Sequence, residues 1–391
     1  MLSPSEIESL SAELISLYET MEDDLLTNVA GKLAVVDSVT PDTVTAWRVK
    51  KLDELGALKG QNIKTIAKYS KKSEEMIAEI LKNAGFQCLT ADEKLYEMAF
   101  SQGILTTIPV PAMSSPAIKR IISAAVDSAK GSVNLINTTA LQTSQKAFVN
   151  AINKAYLETS LGVKSYQSAM SSAVRQLADD GITGATFVSP KGRVTNQRID
   201  VAVRRSILSA STQATGKIEV QRADEWGSNL VEVTSHIGSR PTHAIWQGKI
   251  YSLKGGTAKY PNLTIATGYG SVNGLKGANC AHDFYPFFEG ISEQTYKPYK
   301  ETENQKQYDE SQDQRKIERE IRDQKRRVIA ADAAQDAEAK KAAQLKLRQK
   351  QAEMKTFLKD TGRTPRTNRQ QVLGFDRSKA AQAVQAAKRN T

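Results

Sequence analysis

The sequence predicts a mainly α-helical protein with one small α+β module, and three observations point there. Apolar residues recur at three- and four-residue steps through most of the first 226 positions, the period of a helix with one buried face. From Gly227 to Gly290 the texture changes, because this stretch holds 10 of the 23 glycines together with 8 aromatic residues. Tight turns around a small ring-filled core suit that mixture. Beyond Pro298 a long run without proline or glycine is rich in strong helix formers, which predicts extended charged helices.

The first helix opens at Ser3-Pro4, a cap and a first-turn proline, and continues through Ile7, Leu10, Leu14, Leu17 and Met21. The segment from Thr43 to Phe86 reads as two or three short helices punctuated by Gly56, Gly60 and Gly85. Between Ser115 and Leu177 the helical period returns at Ile118, Ile121, Ile122, Ala125, Ala147, Val149, Ile152 and Tyr156, faces that a helical bundle would cover. "LADDGITGATFVSPKGRVTN" (177–196) interrupts it with Gly, Pro and Thr and fits a short hairpin or loop, after which helix resumes to Trp226.

Inside the glycine-rich stretch, "NLVEVTS" alternates like a half-buried strand and "KIYSL" resembles a second. Behind it, Ile317, Ile321 and Val328, then Leu345, Leu347, Met354, Phe357 and Leu358, give two long, mostly solvated helices hairpinned near Ala330 to Asp336. The end, from Thr361, reads as a basic tail with a weak terminal helix. The expected organisation is a helical region over 1–114, a helical lead-in over 115–226, the α+β module over 227–292, charged helices over 293–360 and the tail over 361–391.

Lys and Arg outnumber Asp and Glu 54 to 43, a net charge of +11, which favours polyanionic partners. Residues 301–391 hold 22 of the cations against 14 acids, so most of the excess lies there. Two cysteines, Cys88 and Cys280, make no disulfide framework and suit a reducing compartment. The first residues mix acids into their apolar pattern, unlike a signal peptide, and no run of eighteen apolar residues predicts a membrane span.

All three histidines, His236, His243 and His282, fall inside the glycine-rich stretch. With Cys280 they are ligand types for zinc, but the paired spacings CxxC and HxxxH are absent. Gly238 and Pro241 keep His236 and His243 off a common helix, so hydrogen-bonded histidines are the preferred reading and no metal or other cofactor is assigned. No nucleophile-elbow motif surrounds Ser235 or Cys280. A nuclease built on His236, Arg240 and His243, with histidines moving protons and arginine gripping phosphate, stays open as the alternative. "GYGSVNGLKG" (268–277) lacks the ending of a phosphate-binding loop and reads as a wide turn. On the charged helix, Arg315, Arg319, Arg322, Lys325, Arg326 and Arg327 are candidates for DNA contact, with interleaved acids expected to pair along the helix.

"QRIDVAVRRSILSASTQATGKI", "VEVTSHIGSRPTHAIWQGKIYSL" and "ATGYGSVNGLKGANCAHDFYPF", in that order, closely resemble the tailed-phage minor capsid protein 2 family, itself related to MuF-type head morphogenesis proteins. "ELISLYETMEDDLL" and "QYDESQDQRKIEREIRDQKR" follow the same pattern, and the likeness weakens after about Thr361. The resemblance implies a non-enzymatic virion protein at the portal vertex of the head, present in the host cytoplasm during assembly and acting in assembly or in DNA packaging or delivery. Its implied partners are the portal protein, then the major capsid protein and packaged double-stranded DNA. The family's recurring positions fall here on Arg204, His236, Arg240, Pro241, His243, Trp246, Gln247, Gly248, Cys280, His282 and Tyr285, as structural or interaction residues with no catalytic role.

Overall fold

A computed structural model describes residues 4–33, 39–188, 192–372 and 375. Helix makes up 68% of the chain and strand 6%, so the expected mainly α architecture with a small β-containing module is what the chain adopts. The order is α1 (Pro4–Lys32), α2 (Val44–Asp53), α3 (Leu55–Ser101), α4 (Pro116–Ser160), α5 (Tyr166–Asp180), β1 (Thr183–Val188), β2 (Val194–Arg198) and α6 (Ile199–Trp226). It continues with β3 (Leu230–Val233), α7 (Pro241–Ala244), β4 (Ile250–Ser252), α8 (Leu263–Thr267), β5 (Phe284–Pro286), α9 (Glu301–Ala333) and α10 (Ala337–Thr361). The terminal helix expected in the tail lies outside the described residues. Among the described residues, no helix is long and apolar enough to cross a membrane.

The short helices expected between Thr43 and Phe86 are replaced by α2 and one 47-residue helix, α3. A glycine costs a helix only about 1 kcal/mol relative to alanine, and a packed face outweighs that. Gly56 and Gly60 have open space where a side chain would be, so they neither cap nor break. Gly85 has a packing reason instead, since a Cβ there would come within 3.0 Å of the Ile122 and Ile218 side chains.

The chain divides into two compact units, each gathered from three separated stretches. The first comprises Met1–Leu14, Ser73–Val133 and Arg204–Gln312. Its sheet has β3 in the centre, antiparallel to β4 on one side and β5 on the other. Val231, Val233, Tyr251 and Phe284 from the strands pack with Trp246, Leu263, Leu275 and Cys280 in one core. A second core gathers Tyr96, Ala99, Leu105, Ala223, Trp226 and Phe288, with the Tyr96 and Trp226 rings stacked at 5.5 Å. Beside it the buried Arg222 guanidinium grips Glu93 and Glu225 and donates to the Val110 carbonyl at 2.9 Å.

The second unit comprises Ile15–Lys72, Asn134–Val203 and Asp313–Thr391. β1 and β2 form a hairpin in the stretch whose sequence fits either a short hairpin or a loop. The α9–α10 hairpin turns where anticipated: Gln335 takes φ +60° and Asp336 caps α10 by accepting from the Ala339 N–H at 2.9 Å. Ile317, Ile321, Leu347 and Met354 close its seam.

The solvated character expected of α9 is corrected by its interior. Gln314, Glu318, Lys325 and Arg326 are all buried. Arg326 is fully enclosed with three carboxylates, at 3.3 Å from Glu22, 3.8 Å from Asp200 and 4.0 Å from Asp23. Burial, reinforced by the nearby charges of Asp200 and Asp23, pushes Glu22 up to about 7 against the pull of Arg326. Asp200 is buried as deeply, yet Arg326, Arg322 and Arg198 hold it below its ordinary range. Arg326, with Arg322 and Arg198 behind it, thus offsets a pocket that would otherwise be strongly acidic.

Replacing this cation should therefore cost more than an ordinary core change. Arg326→Met leaves buried carboxylates without their counter-charge, and denaturant unfolding of the full chain should show a loss of about 3–5 kcal/mol. A loss below about 1 kcal/mol would mean that water reaches the cluster.

Candidate functional site

The candidate site grows from the end of β3. After Val233 the chain loops to the one-turn helix α7, where Arg240 is the N-cap and Pro241 occupies the first helical position. Arg240 also donates across to the Ala278 carbonyl, tying this loop to the segment that carries Cys280 and His282. Trp246 is buried behind α7, and its carbonyl accepts from the Tyr251 hydroxyl at 2.8 Å. Gly248 then reverses the chain into β4 with φ +66°. A Cβ there would lie 2.6 Å from the Lys297 carbonyl carbon and 2.9 Å from the Pro298 nitrogen.

The fold brings the three histidines together. His236 lies 4.3 Å from His282 between ring centroids, His282 lies 4.7 Å from Trp246, and His243 lies 4.6 Å from Trp246. His243 and His282 are each only 2% exposed. The hydrogen bonds assign their tautomers. His243 Nε2 faces the Asn273 backbone carbonyl at 2.9 Å, and a carbonyl only accepts, so Nε2 carries the proton.

Gln247 Oε1 accepts from the His236 backbone N–H at 3.1 Å, which places oxygen rather than nitrogen there. The same oxygen meets His282 Nε2 at 2.9 Å, so that nitrogen is also the protonated one. Both Nδ1 atoms therefore present lone pairs, and both point at Cys280 Sγ, at 3.8 Å from His243 and 3.7 Å from His282. Among the described residues, these three form a group able to offer a metal ion one ligand atom each, all within 4.8 Å of one another.

Burial governs the electrostatics. It lowers all three imidazoles, His282 to about 2, and raises the Cys280 thiol. The buried, neutral rings of His243 and His282 tie loops together through Asn273 and Gln247, while His236 is half-buried.

A second polar group sits beside them that no spacing in the sequence announced. The buried Lys276 ammonium pairs with Asp283 and with Glu219 at 3.3 Å, and donates to Thr215 Oγ1 at 3.2 Å. Burial and the neighbouring Asp283 charge hold Glu219 well above the ordinary carboxylate range. Nor does the sequence announce Asn304, which accepts from the Ser239 N–H at 2.9 Å and donates back to the Ser239 carbonyl. "GYGSVNGLKG" forms the expected wide turn, closed so tightly that a Cβ on Gly274 would collide with the Gly268 carbonyl oxygen.

The remaining candidates spread over the first unit and α9. Arg204 is half-buried on α6, and Tyr285 faces Glu232 across the β3–β5 pair. Of the cations proposed for DNA, Arg315 and Arg319 are exposed on α9. The others are half-buried or buried. Arg326 belongs to the acidic cluster, Arg327 pairs with Asp179 at 2.8 Å, Arg322 donates to the Arg369 carbonyl, and the buried Lys325 ammonium lies 5.6 Å from the Phe375 ring. Acids on α9 likewise pair mainly across elements, Glu320 with Lys350 at 2.7 Å and Glu318 with Arg366 at 2.8 Å.

With this geometry in view, sequence comparison decides the family. The profile of phage minor capsid protein 2 matches residues 2–359. The chain belongs to the phage minor capsid protein 2 family. A structural protein of Lactococcus phage LL-H is 25% identical to it over 342 residues, 85% of this chain and 88% of the relative. A structural protein of Lactococcus phage mv4 is 35% identical over 74 residues, 19% of this chain and 59% of the relative. No solved structure matches the chain. The minor capsid family match thus runs through both units and the whole histidine module.

Gly248 offers a direct check on how tightly this module is built. Gly248→Ala meets both a left-handed backbone and the 297–298 main chain, so it should destabilise the protein by about 1–3 kcal/mol, with earlier loss of buried Trp246 fluorescence on denaturant titration. An unchanged midpoint would show that the segment after residue 292 lifts away freely.

Proposed function

We propose that this minor capsid protein is a structural component of the phage head, held at the portal vertex, with the portal protein as its principal partner. The observation that carries a structural over a catalytic reading is the inward orientation of the histidine module. His243 bonds to the Asn273 carbonyl and Arg240 to the Ala278 carbonyl, so two of the three residues the nuclease reading needs are occupied in holding loops, as is His282 through Gln247. The same module exposes large aliphatic side chains, Ile245 at 69%, Ile265 at 86% and Val272 at 66%. Side chains of this size left in water favour a protein partner.

Association with the portal during assembly in the host cytoplasm, and with the major capsid protein nearby, follows from this reading. Packaged DNA is a secondary partner, and its contact falls to Arg315 and Arg319, the two candidates left on the surface.

Full-length Ile245→Asp/Ile265→Asp protein should fold with an unchanged melting curve yet enter purified particles at well under half the wild-type copy number, scored by quantitative mass spectrometry. A map of the portal vertex should place the wild-type chain there. Wild-type incorporation of the double variant, or density distributed over the whole shell, would overturn the reading.

For the DNA contact, Arg315→Glu/Arg319→Glu should flatten the plot of log affinity against log salt by about 2 units, roughly 0.9 for each phosphate no longer neutralised. An unchanged slope removes DNA as a partner.

A further inference from the structure

Two imidazole lone pairs converge on one thiol, and a thiol has a single proton. The Asn273 carbonyl and Gln247 Oε1 commit both Nε2 atoms as donors, so His243 Nδ1 and His282 Nδ1 both need something to accept from. Cys280 S–H satisfies one of them. The other lone pair then faces sulfur lone pairs in a buried place, a cost that native interiors avoid.

The distances suggest what resolves this. A tetrahedral zinc ion with Zn–S of about 2.3 Å and Zn–N of about 2.0–2.1 Å separates its sulfur and nitrogen ligands by roughly 3.6 Å. The two separations here are 3.7 and 3.8 Å. Each ring also donates its far N–H to a carbonyl oxygen, the arrangement that orients metal-binding histidines. A further observation comes from outside the set. The His236 ring rests 4.3 Å from that of His282, and His236 Nε2 is buried without a hydrogen-bond partner.

We propose that His243 Nδ1, Cys280 Sγ and His282 Nδ1 form a transition-metal site for zinc, with the fourth coordination position open to a ligand from outside these three. Binding exchanges one proton: the Cys280 S–H bond breaks, its proton leaves to solvent, and a zinc–thiolate bond forms with no change of oxidation state. The two Nδ1 atoms bind as neutral donors. Thiolate with imidazole is a ligand set that suits zinc over magnesium or calcium. The ion would join α7 to the segment that runs from the 268–277 turn into β5, fastening the loops that also hold Trp246. The site rests on its own geometry and stands apart from the portal reading.

The test uses the full chain, without a histidine tag, purified from zinc-supplemented medium and dialysed against a weak chelator. Elemental analysis should find about one zinc per chain. Replacement by cobalt(II) should give tetrahedral d–d absorption and a sulfur-to-cobalt charge-transfer band, both abolished by excess zinc. Cys280→Ser should lose the charge-transfer band, while Cys88→Ser keeps it. If Cys280→Ser fails to fold, the wild-type cobalt spectrum with the Cys88→Ser control decides alone. Zinc far below one per chain after dialysis, or cobalt bound without the sulfur band, would overturn the site.

Discussion

A cation withdrawn from water costs several kcal/mol unless carboxylates are withdrawn with it in close geometry, and this protein builds an interior of each unit on that condition. Lys276 in the first unit and Arg326 in the second are both buried, and each meets an acid contributed by a distant part of the chain. Glu219 reaches Lys276 from α6 and Asp283 from just before β5. Glu22 and Asp200 reach Arg326 from α1 and α6. One misplaced helix would strand a buried charge, so each cluster penalises alternative arrangements of the elements that feed it. A chain only 40% hydrophobic, with 6% aromatics, has reason to rely on such selection.

The helices and their faces were legible because they obey local periodicity. Leu14, Met21, Ile118, Ile122, Ile152, Ile317 and Ile321 are all buried as their spacing requires. β3, β4 and the α9–α10 turn were readable for the same reason, since alternation and capping are properties of a few adjacent residues. The length of α3 was not. Whether a glycine ends a helix depends on what lies opposite, and Ile122 and Ile218 are far from Gly85 in sequence. Charge on α9 misled in the same way. Arg326 and Arg319 are chemically identical and share α9, but only the fold decides which one is enclosed with Glu22 and which one is exposed.

The histidine module shows the same division at smaller scale. That His236, His243 and His282 share a compact, glycine-rich region could be seen from their clustering. Their convergence with Cys280 could not, because spacing rules for metal ligands assume short, regular motifs. Here the ligand-type atoms come from α7 and from the segment leading into β5, and the approach depends on a turn whose Gly274 lies against the Gly268 carbonyl. Gln247 is the residue whose importance the geometry raises most. One side-chain oxygen accepts from the His236 main chain and from the His282 ring, so it assigns a tautomer as well as closing a loop.

Membership of a minor capsid family gives this construction a physical rationale. A structural protein of a phage must present the same surface in every copy, and the exposed Ile245 and Ile265 are carried on segments too short to hold themselves in place. α7 has four residues and α8 has five. Helices of that length have no stability of their own in water. Their positions are therefore inherited from what they are fastened to: the His243 ring of α7 packs against Trp246, and the buried Leu263 and Thr267 of α8 reach the core beside Leu275, whose N–H donates to the Thr267 carbonyl at 3.1 Å. The polar interior and the exposed aliphatic surface are consequently parts of one device, in which the buried rings and charges hold still the residues that face outward.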